Sequence, residues 1–263
     1  HNGKRNLEFS PNDSGPQDTI SSVYVSNTYF DKVSNDSVVF SGNATKAYHS
    51  IGFSNVLFRA SNTIESSSAI NFNAVSQVRL VTFDGCHFRS NNNSAIKTSN
   101  DNVTNCSVIG CFFDDNNVNN GAAEADIRIA GKNWLINGNQ FLAGGADGGV
   151  ITYLTDCEDA TAEQNNFIST AANTVISDFG TNNRTSRNRG YTTENFGSAS
   201  VADGDTIAHG LDTVPTYANV KPENSGHIAV VSTLNSTNIK VDIVDSGGNS
   251  VTTSNKVYWE ARV

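Results

Sequence analysis

The chain has 263 residues, a formal net charge of −9 and only 16% charged residues, while about one residue in seven is asparagine. This charge balance excludes nucleic-acid binding, which needs clustered lysine and arginine, and no apolar run approaches the ~18 residues of a membrane span, so we predict no membrane insertion. A chain that begins His1-Asn2-Gly3 without methionine is expected to be processed or a fragment of a longer polypeptide.

Residues 1–20 are polar, carry two prolines and are predicted to form an N-terminal cap or connector. After them, a short motif ending in phenylalanine recurs every 25 to 30 residues. Apolar residues or cysteine stand five and seven positions before each phenylalanine, and a second apolar run follows it by about ten residues. Alternation at period two, bounded by Asn, Gly and Ser, predicts short strands. The terminal phenylalanines are Phe30, Phe58, Phe88, Phe113, Phe141 and Phe167.

Two or three strands per repeat predict a right-handed, single-stranded parallel β-helix of about six coils over residues 21–190. The same position then recurs on every coil, so the phenylalanines are expected to stack in the core, with Asn139 and Asn165 forming an amide ladder. Cys86 and Cys111 share a column on neighbouring coils. Buried free thiols are favoured there over a disulfide, because in-register parallel neighbours do not easily reach the required dihedral angle.

The repeat stops near Tyr191, and the remaining residues, 191–263, contain five or six short alternating segments. Hairpin signals stand at Asp203-Gly204 and at residues 247–249. This pattern predicts a small antiparallel β-sandwich domain after the β-helix. The predicted fold class is therefore all-β throughout.

The segments Gly190–Asn195, Ile207–Leu211 and Val257–Val263 resemble a C-terminal β-domain. Such domains follow β-helices in tail spikes and tail fibres of bacterial and archaeal viruses, and in some archaeal surface proteins. The resemblance implies a homotrimer with its β-helices side by side, trimerised by the C-terminal domains. It also implies other virion structural proteins as partners, and a location in the virion or on an extracellular surface.

Enzymes built on β-helices mostly cut polysaccharides, which requires a carboxylate pair or, in a lyase, a base. Asp84 and Glu163 share a column, but two intervening coils would place them roughly 14 Å apart, too far for a hydrolase pair. Solvated surface acids are therefore the favoured interpretation of all these carboxylates. The catalytic candidates are Asp84, Asp114, Asp115, Asp156, Glu158 and Glu163.

Two kinds of binding site are also considered. Asp114, Asp115 and Asn116 could supply some of the six to eight oxygens that calcium needs, although the chain lacks a calcium-binding nonapeptide repeat, and no cofactor is the favoured prediction. Exposed aromatic rings could stack on sugars, and edge or trimer packing would explain the same positions equally well. The carbohydrate-binding candidates are Tyr29, Phe112 and Tyr153.

The favoured hypothesis is a virion appendage, like a tail spike or fibre, that attaches to a host-surface glycan or protein without catalysis. One alternative is a polysaccharide depolymerase, either hydrolase or lyase, acting on the β-helix. The other is a cell-encoded extracellular surface or filament subunit.

Overall fold

The computed structural model describes residues 7–9, 19–31, 35–41, 47–59, 67–73, 77–98, 100–118, 124–142, 149–168 and 175–263. Every regular element in these ranges is a β-strand, so the all-β prediction is confirmed. None of the described residues belongs to a helix that is long and apolar enough to cross a membrane. The chain divides into two compact units, His1–Arg184 and Thr185–Val263.

A 15-stranded sheet forms the larger wall of the first unit, and its strands pair in parallel. Strands are numbered along the chain. Those of this sheet are β1 (Leu7–Phe9), β2 (Thr19–Ser26), β4 (Val38–Phe40), β5 (Ala47–Ser54), β7 (Ile70–Phe72), β8 (Gln77–Asp84), β10 (Ile96–Thr98), β11 (Val103–Thr104), β12 (Ser107–Ile109), β14 (Ala125–Lys132), β15 (Leu135–Asn137), β17 (Gly149–Glu158), β18 (Thr161–Glu163), β20 (Ile176–Asp178) and β21 (Arg184–Ser186).

A second, six-stranded parallel sheet closes each winding, which makes the first unit a parallel β-solenoid, as predicted. Its strands are β3 (Tyr29–Asp31), β6 (Leu57–Arg59), β9 (His87–Arg89), β13 (Phe112–Asp114), β16 (Gln140–Phe141) and β19 (Asn166–Phe167). Five windings separate the first of these strands from the last, so the solenoid has about five turns rather than six. Its handedness stays a prediction.

Residues at equivalent positions of successive windings form columns in the core. Phenylalanine rings of the six-stranded sheet stack from Phe30 to Phe167 with centroids 4.7 to 5.2 Å apart, close to the strand spacing. A second column, on the facing sheet, runs through Val38, Ile70, Ile96, Ile127, Ile151 and Ile176. Strand alternation turns both columns inward, so the solenoid buries a continuous apolar core.

Left-handed backbone residues mark bends, either between strands or inside the long strands β2, β5 and β8, and they too form columns. One residue with a φ near +50° to +65° stands two positions before each strand of the six-stranded sheet: Asn27, Asn55, Gly85, Gly110, Gly138 and Gln164. A second column follows the 15-stranded sheet, first inside its long strands β2, β5 and β8 and then two positions before β12, β15, β18 and β21: Ser22, Ser50, Leu80, Asn105, Asn133, Asp159 and Asn182. Asparagine and glycine adopt this conformation at the lowest cost, which accounts for part of the unusual asparagine content.

Buried asparagine side chains form a separate column, one position after the left-handed residues Gly138 and Gln164. Asn139 Oδ1 accepts a hydrogen bond from the Cys111 amide at 2.8 Å, and Asn165 Oδ1 accepts from Asn139 Nδ2 at 3.0 Å. Cys86 precedes Cys111 in this column, and all four cysteines of the chain are buried free thiols. The side-chain amides therefore satisfy backbone groups that no strand partner reaches.

The second unit is built from two three-stranded antiparallel sheets. The first holds β22 (Glu194–Val201), β27 (Asn255–Arg262) and β24 (Tyr217–Pro222); the second holds β23 (Thr206–Ala208), β26 (Asn238–Asp245) and β25 (His227–Leu234). Both sheets supply residues to one apolar core, which includes Val220, Ile239, Val241 and Val257. The predicted antiparallel C-terminal sheets are confirmed.

The predicted boundaries at residues 20 and 190 stay a prediction, and most of the predicted cap lies outside the described residues. Its described part includes β1, which pairs in register with β4 and places Phe9 against Phe40 at 4.8 Å. This portion of the cap is thus already a strand of the solenoid wall.

Candidate functional site

The carboxylates of the shared solenoid column are kept apart by intervening rungs. Asp84 pairs with Ile109, Ile109 with Asn137, and Asn137 with Glu163, so two rungs lie between the two acids and three inter-strand steps separate them. Asn137 Nδ2 donates to Glu163 Oε1 at 3.1 Å. At about 4.8 Å per rung, this separation exceeds both hydrolase geometries.

The remaining catalytic candidates are ion-paired or exposed. Asp114 pairs with Arg89 at 3.1 Å, and Glu158 pairs with Lys132. Asp115 and Asp156 are exposed, and Asp115 has a left-handed backbone conformation. A catalytic role for these acids stays a prediction.

The predicted calcium ligands do not converge. Asn116 is fully buried, and its Oδ1 accepts hydrogen bonds from the backbone and side chain of Asn91. Its neighbour Asp114 is instead held outside by Arg89. Across the described residues, no group of three or more His, Cys, Asp or Glu side chains could hold a metal ion.

The three aromatic candidates lie in different environments. Tyr29 is 71% exposed, whereas Phe112 is half-buried with its ring edge-on to His87 at 4.8 Å. Tyr153 is fully buried, so its prediction as a sugar-stacking residue is wrong. Tyr153 follows Ile151 by two positions on β17, and strand alternation turns both side chains toward the core.

Three exposed aromatic side chains, Phe196, Tyr217 and Tyr258, instead lie together on the outward face of the β22–β27–β24 sheet, which we call the C-terminal face. Strand pairing arranges its side chains in rows across the three strands. The rows are Glu194–Arg262–Tyr217, then Phe196–Glu260–Asn219, then Ser198–Tyr258–Lys221. Alternation places the intervening residues, such as Val257 and Ala261, in the core beneath.

Charged and phenolic groups form a hydrogen-bonded network at the end of this face that carries Arg262 and Tyr217. Arg262 Nη2 donates to Glu260 Oε2 at 2.9 Å and lies over the Tyr217 ring, whose hydroxyl donates to Glu260 Oε1 at 3.1 Å. The hydrogen bond from Arg262 is the main reason why the pKa of Glu260 is lowered. Glu260 is therefore held in its ionised, accepting form.

A second network lies at the other end of the face, around Tyr258. Lys256 Nζ lies 3.0 Å from Glu223 Oε1, and the Tyr258 hydroxyl donates to the same oxygen at 2.9 Å. The ammonium also sits 4.9 Å from the centre of the Tyr258 ring. The hydrogen bond from Lys256 lowers the pKa of Glu223. Tyr258 is thus oriented by contacts at its hydroxyl, while the residue remains 46% exposed.

Between the two networks lies an open groove of about 340 Å³. Phe196, 82% exposed, forms one wall with Tyr258, and Asn219, Lys221 and Glu260 supply polar groups. Gly197 stands in the groove where a Cβ atom would meet the Trp259 indole at 3.2 Å, so glycine lets the indole pack closely beneath the sheet. The groove therefore combines exposed rings with fixed hydrogen-bonding groups.

This face is not among the predicted sites, although the sequence contains a pattern that indicates it. Residues 217–222 and 257–263 alternate aromatic or polar side chains with apolar ones, and this alternation indicates one outward face per strand. Which residues meet across the strands depends on pairing between segments about 40 positions apart, and no local pattern specifies that register.

The solved structures that resemble this chain include three phage tailspikes. The tailspike protein gp49 of Pseudomonas phage LKA1 is 10% identical, with a TM-score of 0.37 over 93% of this chain and 67% of that chain. The tailspike gp61 of Pseudomonas phage phi297 is 11% identical, with a TM-score of 0.39 over 92% of this chain and 60% of the other.

The gp54 tailspike of Acinetobacter baumannii bacteriophage AP22, solved in complex with A. baumannii capsular saccharide, is 9% identical, with a TM-score of 0.36 over 92% of this chain and 50% of that chain. These three proteins are tailspikes, the class that the sequence resembles. Because each TM-score is below 0.5, the fold assignment rests on the strand pairing of the chain itself. No protein-family model matches the chain, and no curated protein matches it.

Proposed function

We propose that the chain is a virion-appendage protein of the tailspike or tail-fibre class, and that its C-terminal face attaches the virion to a host-surface glycan. The observation that carries this proposal is the groove beside Phe196 and Tyr258. Sugar rings present apolar C–H faces and hydroxyl rims, which match exposed aromatic rings bordered by fixed donors and acceptors. Phe196, Tyr217 and Tyr258 are exposed together on one sheet face and are rimmed by polar groups, and exposed apolar patches of this kind mark ligand-binding grooves.

Binding to host-surface glycans by the Phe196→Ala variant tests the proposal. We expect at least a tenfold loss of affinity, because the variant removes a ring that contributes stacking at the groove wall. Phe179 is 65% exposed in the other unit, so Phe179→Ala is a matched control that should bind as the native chain does. Equal affinity in the native chain and the Phe196→Ala variant would contradict the assignment.

The proposed attachment is non-catalytic, which the separation of Asp84 from Glu163 supports. Incubation with a bound polysaccharide should release neither reducing ends nor unsaturated uronates. If either product appears and an Asp84→Asn or Asp114→Asn change abolishes it, the chain is a depolymerase.

The native assembly is proposed to be a homotrimer. An outward column of the six-stranded sheet, from Tyr29 through Leu57 and His87 to Phe112, offers a partly apolar strip that another copy could cover. Light scattering should give three times the chain mass, independent of concentration. Mass that grows with concentration would instead favour a filament subunit.

A further inference from the structure

The groove of the C-terminal face contains one lysine that no acid neutralises. Lys256 is paired with Glu223, and Arg262 is paired with Glu260. Lys221 is exposed and has no ion pair with any residue that the structure describes. A single positive charge therefore remains at the groove wall, in a chain whose formal net charge is −9.

The position of Lys221 relates it directly to the rings. It lies opposite Tyr258 on the neighbouring strand, while Phe196 lies on β22, at the other edge of the sheet, in the adjacent row with Glu260. Adjacent strands are about 4.8 Å apart, so the three strands place Phe196 and Lys221 on opposite sides of a ring laid over the central strand. A charged group on the rim of that ring would face the lysine ammonium.

The other charges of this face do not cancel that attraction. Glu260 lies in the groove, but Arg262 at 2.9 Å offsets its charge and the Tyr217 hydroxyl occupies its second oxygen. Glu194 lies two rows from Lys221, beside Arg262. The nearest free charge to a ligand over Tyr258 is thus positive, and exposed charge of this kind contributes mainly to selectivity.

We propose that Lys221 makes the groove selective for glycans that carry an acidic sugar, with the carboxylate of the sugar paired to the ammonium and its ring against Tyr258 and Phe196. This inference rests on the proposed glycan-binding function and adds the chemical class of the ligand. It identifies Lys221 as a specificity-determining residue, separate from the rings that supply the contact area.

The test uses the full chain and matched pairs of polysaccharides. Polygalacturonate, alginate, hyaluronan and polysialic acid are each presented in native form and in carboxyl-reduced, neutral form. We expect at least one acidic polymer to bind at least ten times more tightly than its reduced form. Raised salt should weaken only the acidic form, because the lysine is exposed to screening.

Variants then assign the preference. Lys221→Gln should lower the ratio of acidic to neutral affinity to about twofold or less, and the larger loss of affinity should be that of the acidic form. Lys240→Gln, an exposed lysine on the other sheet, should leave the ratio intact. Because both lysines are exposed, unchanged melting temperatures should accompany both changes.

Each other result overturns the inference in a recognisable way. If acidic and neutral forms bind equally and Phe196→Ala weakens both, the glycan function stands but the acidic selectivity fails. If the preference for the acidic polymer persists in Lys221→Gln, a residue other than Lys221 recognises the sugar carboxylate and the inference is wrong. If no polymer binds in either form, the inference and the proposed function fail together.

Discussion

At the scale of single residues, Asp126 is a carboxylic acid buried in the wall of the solenoid. It lies one position before the core residue Ile127, is almost fully buried, and its Oδ1 has no hydrogen-bond partner among the described residues. Burial is the main cause that raises its pKa from 3.8 to about 7, with Asp115 and Asp114 adding repulsion and an Asn116 hydrogen bond opposing the rise. The folded chain thus binds this proton more tightly than the unfolded chain does.

This binding makes the stability of the solenoid pH-dependent. Because the folded pKa is raised, unfolding free energy should fall as the pH increases from about 4 to about 7, and the full penalty should persist above 7. Asp126→Asn should remove the penalty, stabilising the chain at pH 8 by on the order of 4 kcal/mol and hardly at all at pH 4.

Urea unfolding at both pH values measures the effect. Asp156→Asn changes an exposed acid of β17 that does not affect the pKa of Asp126, and it should shift stability by less than about 1 kcal/mol. If Asp126→Asn raises the unfolding free energy equally at pH 4 and pH 8, Asp126 does not change its ionisation between these pH values and the prediction is wrong.

At the scale of elements, backbone strain at the left-handed bends affects the stability of each winding. Most bend positions hold Asn, Gly, Ser or Asp, but Leu80 adopts a φ of 57° and remains 53% exposed. A γ-branched apolar side chain gains nothing from that exposure, while its backbone is strained. Asn105 and Asn133 occupy the same column on the next two windings.

Leu80→Asn should therefore stabilise the chain by about 1 kcal/mol, which a rise in the melting temperature would report. The matched control is Leu57→Asn, a leucine that faces outward from β6 in ordinary strand conformation, where asparagine should be neutral or destabilising. If both changes destabilise equally, backbone strain at residue 80 is not what limits this bend.

The same elements show which features the sequence could predict. The phenylalanine spacing predicted the solenoid because every winding repeats one inward position, and the asparagine ladder followed from the same column. The prediction for Tyr153 was wrong because the phenylalanine column does not determine which residues of the 15-stranded sheet face inward. The segment between each phenylalanine and the next strand of that sheet differs in length from winding to winding. A one-residue error reverses the face of a strand.

The candidate site was less predictable than the fold for a related reason. Outward residues of β24 and β27 could be read from alternation, but the pairing of Tyr217 with Glu260 and Arg262 depends on a long-range antiparallel register. Lys221 can be recognised as the cation without an acidic partner only after Glu223 has been assigned to Lys256 and Glu260 to Arg262.

At the scale of the whole molecule, each unit has a core of its own. The solenoid core is built from columns such as the phenylalanine stack, whereas the C-terminal core is formed by residues between Ala199 and Ala261. One tryptophan belongs to each unit: Trp134 is buried in the solenoid, and Trp259 packs against the C-terminal core. Separate cores predict separate cooperative unfolding transitions.

Calorimetry and fluorescence of single-tryptophan variants should therefore resolve two transitions. Phe113→Ala opens a cavity between Phe88 and Phe141 and should cost the solenoid about 3–5 kcal/mol, and Ile239→Ala should cost the C-terminal unit about 2–5 kcal/mol. Each change should lower only the transition of its own unit: Trp134 reports the first and Trp259 the second. Glycan binding should then be lost with the Trp259 transition and survive the Trp134 transition, because the groove is formed entirely by residues of the C-terminal unit. If both variants lower one common transition, the two cores are energetically coupled, and the attachment site depends on the solenoid for its stability.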